Sequence, residues 1–341
     1  MCGSSAPKSY GSGGSSNAIS CSFRCRGDHR IPTLSARFEI PPVVLGCGNF
    51  GGIGSAPAFF GQGETHEEAF ALLDAAWELG LDWFDTADAY GGGRSESWIG
   101  AWMASTGNRP RITTKTFNPM DEGHDSGLGP VRVRRQLDSS LGRLGVDRVA
   151  LYLAHEPDPA TPIGETLGAF AELAAAGLVE AFGLSNYGAD KLREALGGGA
   201  PVLLQNSFSL LDRSDEEAVI PLCAAHGVAY QVFGPLAGGW LTGKYRAGAA
   251  PPEGSRMTLR PEPYTRFDSE DVYRSLDGLA TAATDHGVSM AGLALAWLLA
   301  HPGVTSIVIG PRRPEHLEPI REALALELSP EERDEVGSLF S

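Results

Sequence analysis

From Pro42 onward the chain alternates short apolar runs with longer amphipathic stretches, a pattern that reads as parallel strands buried on both faces by helices. The runs are Val43 to Gly46, Trp83 to Asp85, Ile112 to Lys115, Val149 to Ala154, Ala181 to Leu184, Val202 to Gln205, Ala229 to Phe233 and Thr305 to Ile309. They lack the every-other-residue polarity of a half-exposed strand. The first helix carries its own start signal, Thr65 with Glu68 three residues on, and Gly80 as a stop. Further helices are expected near Ser95, Val131, Ile163, Ala189, Asp215, Glu270 and Pro314. Eight strand-helix pairs predict an α/β chain closed into a single (β/α)8 TIM barrel. A doubly wound sheet shows the same alternation, but its Gly-x-Gly-x-x-Gly turn is poorly matched by GCGNFGG, which no helix follows directly.

Three longer segments interrupt the repeat, from Gly52 to Glu64, Phe117 to Gly129 and Trp240 to Phe267. Each follows a strand, which places it over the carboxyl-terminal face where barrel chemistry is found. With 341 residues and 42% of them hydrophobic, the chain supports one large core, and the barrel is expected to span residues 38–341. Residues 1–37 are rich in Ser and Gly and hold Asp28 as their only acid. That composition predicts a disordered extension, although an acid-poor, Ser-rich head also resembles a transit peptide.

A net charge of -15 argues against nucleic-acid partners, which select for clustered Lys and Arg. No apolar run is long enough to span a membrane, so a cytoplasmic protein is expected. Cys2, Cys21, Cys25, Cys47 and Cys223 have no metal-ligand spacing, and no metal is expected.

Four reactive side chains stand at the ends of apolar runs: Asp85 and Tyr90 in WFDTADAYG, Lys115 in ITTK and His155 in LYLAH. Singly, each has an ordinary structural reading: Asp85 as a turn opener, Tyr90 as an amphipathic core residue, His155 as a satisfied strand-end histidine. Lys115 is the most telling, because lysine is rarely buried without a partner. A carboxylate, a phenol, an ammonium and an imidazole gathered on one barrel face can protonate a carbonyl oxygen, which points to a reductase.

The ordered set GCGNFGG, FDTADAYG, TTK, LYLAH, GLSN, LLQN, GPLAGGWLTGKY and IGPRRPEHL resembles the aldo-keto reductases, from about Val43 to the C-terminal helix. The resemblance implies reduction of an aldehyde or ketone to the alcohol, with Tyr90 as proton donor, Lys115 as the cation beside it, Asp85 as the partner of Lys115, and His155 orienting the carbonyl. It implies NADPH as cofactor and a small-molecule carbonyl as substrate. Ser185, Asn186 and Gln205 would hold the carboxamide, with Asn49 and Asp85 also at the cofactor, and Phe233 would stack on the nicotinamide. Gly234, Pro235, Leu236, Gly238 and Lys244 would meet the pyrophosphate. Gly310, Arg312, Arg313 and His316 would surround the 2′-phosphate end. Many family members have Gln or Arg where His316 stands, and Glu-Asn where Pro319 and Ile320 stand, so adenine recognition is expected to be arranged differently here. Phe50, Phe59, Phe60, Trp83 and Trp240 are candidates for the substrate pocket or for core packing. The resemblance leaves one rival inside the family: a regulatory, redox-sensing subunit, like the channel β subunits, with the same barrel and slow or no turnover. A metal-dependent barrel hydrolase is a rival from outside it, and only His155 stands at a strand end to serve one.

Overall fold

The computed structural model describes Met1 and residues 39–340. Chain contacts divide it between residue 30 and residue 31, and the fold below belongs to the second unit. The expected extension, with Cys2, Cys21 and Cys25, lies outside the described residues apart from Met1.

Eight parallel strands close into a barrel in chain order: β1 (Val43–Gly46), β2 (Trp83–Asp85), β3 (Arg111–Thr116), β4 (Val149–Ala154), β5 (Val179–Ser185), β6 (Leu203–Ser207), β7 (Ala229–Phe233) and β8 (Ser306–Ile309). β1 closes on β8 through Val43 opposite Ile307 and Leu45 opposite Ile309. Around them lie α1 (His66–Glu78), α2 (Arg94–Thr106), α3 (Pro130–Leu144), α4 (Ile163–Ala175), α5 (Ala189–Gly198), α6 (Val219–Ala225), α7 (Arg256–Leu259), α8 (Glu270–Asp285), α9 (Met290–Leu299), α10 (Glu318–Ala325) and α11 (Pro330–Ser338). α1 starts as its sequence predicts: Thr65 Oγ1 accepts the Glu68 N–H and the Glu68 carboxylate accepts the Thr65 N–H. Among the described residues no helix is long and apolar enough to cross a membrane.

Alternate residues of each strand face the barrel axis. Val44, Trp83, Leu151, Leu153, Ala181, Leu203, Ala229 and Val308 pack there as a separate apolar cluster. The intervening residues, such as Leu45, Phe84, Tyr152, Leu184, Leu204 and Ile307, join the larger core beneath the helices. One step further along the same inward phase stand Asp85, Lys115, Ser185, Gln205 and Phe233, so a single periodicity fills the barrel and aims the polar side chains out of its mouth.

Two helical expectations shift, and one helix has no counterpart among them. α6 begins at Val219 rather than Asp215, because Asp215 is drawn inward to accept from Asn206 Nδ2 at 2.6 Å and the Tyr230 hydroxyl at 2.8 Å. Pro314 opens a single 3₁₀ turn through Leu317, and α10 follows from Glu318. α9, MAGLALAWLL, escapes an amphipathic search because it is apolar all round: eight of its ten residues are buried.

Candidate active site

The four strand-end side chains meet. Lys115 Nζ, fully buried, donates to Asp85 Oδ1, to the Thr86 carbonyl at 3.0 Å and to the Tyr90 hydroxyl at 3.3 Å. His155 Nε2 lies 3.5 Å from the same hydroxyl, its ring edge-on to the phenol. Tyr90 is the hinge of the arrangement, carried by a short 3₁₀ turn in which Gly91 and Gly92 adopt positive φ.

Burial penalises the Lys115 ammonium, yet Asp85 and Tyr90 together outweigh it and hold its pKa above the ordinary lysine value. Burial pushes the Tyr90 phenol up, and Lys115 pulls it partway back, so the phenol keeps its proton at neutral pH. Burial, with the Lys115 charge in support, holds His155 well below the ordinary imidazole range, and its ring is neutral. The centre therefore offers one acidic O–H, one fixed cation beside it and one uncharged imidazole. Asn118 Nδ2, from the loop after β3, faces His155 Nδ1 at 3.4 Å, a contact without a signal in the sequence.

Beneath this centre a polar ladder crosses the barrel. Gln205 Nε2 donates to Asp85 Oδ2 and to Gln231 Oε1, both at 2.8 Å, and Gln231 Nε2 donates to Ser306 Oγ at 3.1 Å. Gln205 thus supports Asp85 with its amide nitrogen, whose hydrogens are both engaged, and has only its oxygen left to offer a carboxamide. Asn186, in the left-handed region at φ 63°, donates to the His155 carbonyl at 2.9 Å and to Ser185 Oγ at 3.3 Å, which leaves its oxygen as an acceptor. Phe233 ends β7 and packs on the inner cluster. Of the aromatic candidates, Phe50, Trp83 and Trp240 are core: the Trp83 N–H is satisfied by Thr113 Oγ1 at 2.8 Å and Trp240 packs on Tyr245, Phe267 and Tyr273. Phe59 and Phe60 stay half-exposed beside the mouth.

The loop after β7 passes through positive φ at Gly234, Ala237, Gly238 and Gly239, with Pro235 and Leu236 between them. A Cβ on Gly239 would lie 2.4 Å from Lys244 Nζ, so glycine makes the room the ammonium occupies. Lys244, Arg256 and Arg312 crowd together. Desolvation and the two guanidinia lower the Lys244 pKa, and desolvation with Arg312 nearby lowers that of Arg256. The buried Ser255 hydroxyl finds no partner among the described residues. Crowded cations beside a free hydroxyl fit a phosphate. Arg256 and Ser255 belong to the long loop expected over the mouth, Trp240 to Phe267, although nothing in the sequence singles them out within it.

Two of these cations are tied to the loop after β1. Arg256 donates to Asn49 Oδ1, and Arg312 Nε donates to Glu64 Oε1 at 2.5 Å while its Nη1 reaches the Gly254 carbonyl at 2.6 Å. Arg312 is thus already paired with an anion. Arg313, Gly310 and His316 are exposed, and His316 Nδ1 accepts the Arg312 N–H at 3.3 Å, bracing the turn.

Outside the barrel wall a second polar group supports the Tyr90 turn. Asp88 Oδ2 accepts from Thr116 Oγ1 at 2.6 Å, Arg132 Nη1 reaches the same hydroxyl at 2.8 Å, and Glu96 takes Thr114 Oγ1 at 2.5 Å and Arg143 Nε at 2.7 Å. Burial raises the Asp88 pKa to about 7, and its Oδ1 has no partner among the described residues. Since the folded state then binds more protons than the unfolded chain between about pH 4 and 7, this group's stabilisation is present at low pH and lost as pH rises through that window. Urea midpoints of the protein and of Asp88→Asn, followed from pH 5 to 8, should show the native Asp losing ground to Asn as pH rises. Parallel pH curves would remove Asp88 as the titrating group.

Among the described residues no group of three or more His, Cys, Asp or Glu side chains is placed to hold a metal ion. Residues 42–340 match the model of the Aldo/keto reductase family. An aryl-alcohol dehydrogenase of Pestalotiopsis microspora is 33% identical over 325 residues, covering 91% of this chain and 81% of its own. A probable voltage-gated potassium channel subunit beta of Oryza sativa is 32% identical over 296 residues, covering 82% and 89%. The solved holo structure of an aldo-keto reductase from Bacillus halodurans superposes with a TM-score of 0.70 at 26% identity, over 87% of this chain and 91% of that one. The matched span takes in all eight strands and every residue of the site, and this chain belongs to the aldo/keto reductase family.

Proposed function

We propose that the protein is an NADPH-dependent reductase of aldehydes or ketones, working reversibly. The observation that carries the reading is the Tyr90 hydroxyl, 3.3 Å from a buried ammonium and 3.5 Å from a neutral imidazole. A reduced nicotinamide supplies hydride when bound. Tyr90 gives its proton to the carbonyl oxygen as negative charge develops there, and Lys115 stabilises the phenolate left behind. Asp85, braced by Gln205, keeps Lys115 charged and in place. His155 aligns the carbonyl with its Nε2, and the Asn186 oxygen is free to accept from a carboxamide. Arg312, half-exposed beside Lys244 and Arg256, supports a dinucleotide that carries a 2′-phosphate over one that does not.

Absorbance decay of NADPH with a panel of aldehydes and ketones tests this directly, and sustained turnover on at least one class is expected. Because the phenol sits above its ordinary value and the imidazole well below its own, kcat/KM for reduction should be flat from about pH 6 to 9, with no inflection near 6.5. A limb centred near 6.5 would mean that a charged His155 takes part. The rice relative's name supports a second reading, a regulatory subunit that holds nucleotide without sustained turnover. In that case the panel gives one slow oxidation of bound NADPH and then stops.

A further inference from the structure

Arg312 presents only part of its guanidinium. Its Nε is committed to Glu64 Oε1 at 2.5 Å and its Nη1 to the Gly254 carbonyl at 2.6 Å. Nε and Nη1 are each one arm of a fork that, with Nη2, could grip a phosphate through two parallel bonds, so each fork has one arm already bound to a protein group. Glu64 itself is 2% exposed at the side chain, and its second oxygen, Oε2, is buried without a partner among the described residues. A buried carboxylate with one idle oxygen is an expensive group to keep, and Arg312 is the only guanidinium or ammonium that it pairs with among the described residues.

Nor can Glu64 withdraw easily. Its N–H donates to the Asn49 carbonyl at 2.9 Å and its carbonyl accepts from Gly51 at 3.1 Å. The preceding Gly63 packs backbone on backbone, so closely that a Cβ there would lie 1.8 Å from the Asn49 oxygen and 2.2 Å from the Gly52 oxygen. The next residue, Thr65, is pinned as the cap of α1. The carboxylate is therefore fixed on the floor beneath Arg312, while the guanidinium, with 36% of its side chain exposed, faces outward.

We propose that Glu64 is a resident anion that competes with the 2′-phosphate of the cofactor for Arg312, and so narrows the enzyme's preference between NADPH and NADH. The inference rests on the reductase reading above and deepens it. A 2′-phosphate arriving at Arg312 meets a guanidinium half-neutralised by Glu64 and a fixed like charge behind it. A plain ribose hydroxyl meets neither penalty. Glu64 thus weakens binding of the phosphorylated nucleotide selectively, where a residue that merely held the loop would act on both.

Equilibrium titration with 2′,5′-ADP, 5′-AMP, NADPH and NADH, by calorimetry or tryptophan quenching, reads this without turnover. For Glu64→Gln, 2′,5′-ADP and NADPH should bind about tenfold tighter, while 5′-AMP and NADH stay within about twofold. Arg312→Ala should weaken the phosphorylated pair alone, and Glu64→Gln should have no further effect in that background. Equal changes for both pairs in Glu64→Gln, weaker binding of 2′,5′-ADP, or the same Glu64→Gln effect with Arg312 removed would overturn the proposal. Should Glu64→Gln not fold, Arg312→Ala still decides: unchanged 2′,5′-ADP affinity overturns it. Wild-type protein that binds neither NADPH nor NADH overturns the reductase reading, and this inference with it.

Discussion

Tyr90→Phe should bind NADPH as the native protein does and lose carbonyl reduction by about two to four orders of magnitude in kcat. The phenol is the best-placed proton donor of the centre: Lys115 is locked to Asp85, and His155 is held neutral, a far weaker acid than an imidazolium, with its Nε2 turned toward the phenol. Removing the hydroxyl deletes two hydrogen bonds of 3.3 and 3.5 Å but leaves the ring, which keeps its edge against His155 and its face near Lys115. Lys115 retains Asp85 and the Thr86 carbonyl, so the fold should be little affected. Single-turnover rates with pre-bound NADPH, alongside the dissociation constant, separate the two effects. A variant that kept most of its turnover would move the proton donor elsewhere, His155 being next in line.

The sequence made this centre legible for a reason that lies in the barrel itself. A strand buried on both faces tolerates a polar residue only where its inward phase reaches the mouth, so Asp85, Lys115 and Ser185 stand out against apolar runs. Gln205 stands out for the same reason, and it has a second contact that its position does not announce: its amide nitrogen turns inward to Asp85 and Gln231 and braces the Asp85 carboxylate, leaving its oxygen for a carboxamide. Gln231 and Ser306 carry the ladder onward and sit inside runs that read as plain strand. What stayed hidden depended on pairing across loops. Glu64 and Arg256 lie in two of the long segments expected over the mouth, but only the folded structure brings them to Arg312 and Asn49. Asp88 has the same history. Its role comes from Thr116 on the outer face of β3 and from Arg132 and Glu96 on the neighbouring helices, a geometry that spacing cannot encode.

Lys115→Met is expected to be the more damaging change, because it removes the cation from the reaction and from the core at once. Lys115 and Asp85 expose 1% and 4% of their side chains, so solvent cannot take over as partner for the carboxylate left behind. Leaving one member of a buried pair uncompensated costs about 3–5 kcal/mol, against a total stability on the order of 5–15 kcal/mol. Turnover should fall at least as far as in Tyr90→Phe, since the phenolate then forms without its counter-charge in a site where burial already opposes it. The double variant Asp85→Asn with Lys115→Met separates the two losses. The carboxamide introduced by Asp85→Asn keeps an oxygen for the Gln205 amide, which reaches Asp85 Oδ2 at 2.8 Å, and removes the stranded charge. Urea unfolding should therefore show most of the lost stability restored in the double variant, while carbonyl reduction stays abolished. If the double variant were no more stable than Lys115→Met, the pair would not be the buried electrostatic unit described here, and if it recovered activity, the ammonium would not be what prepares Tyr90 to give up its proton.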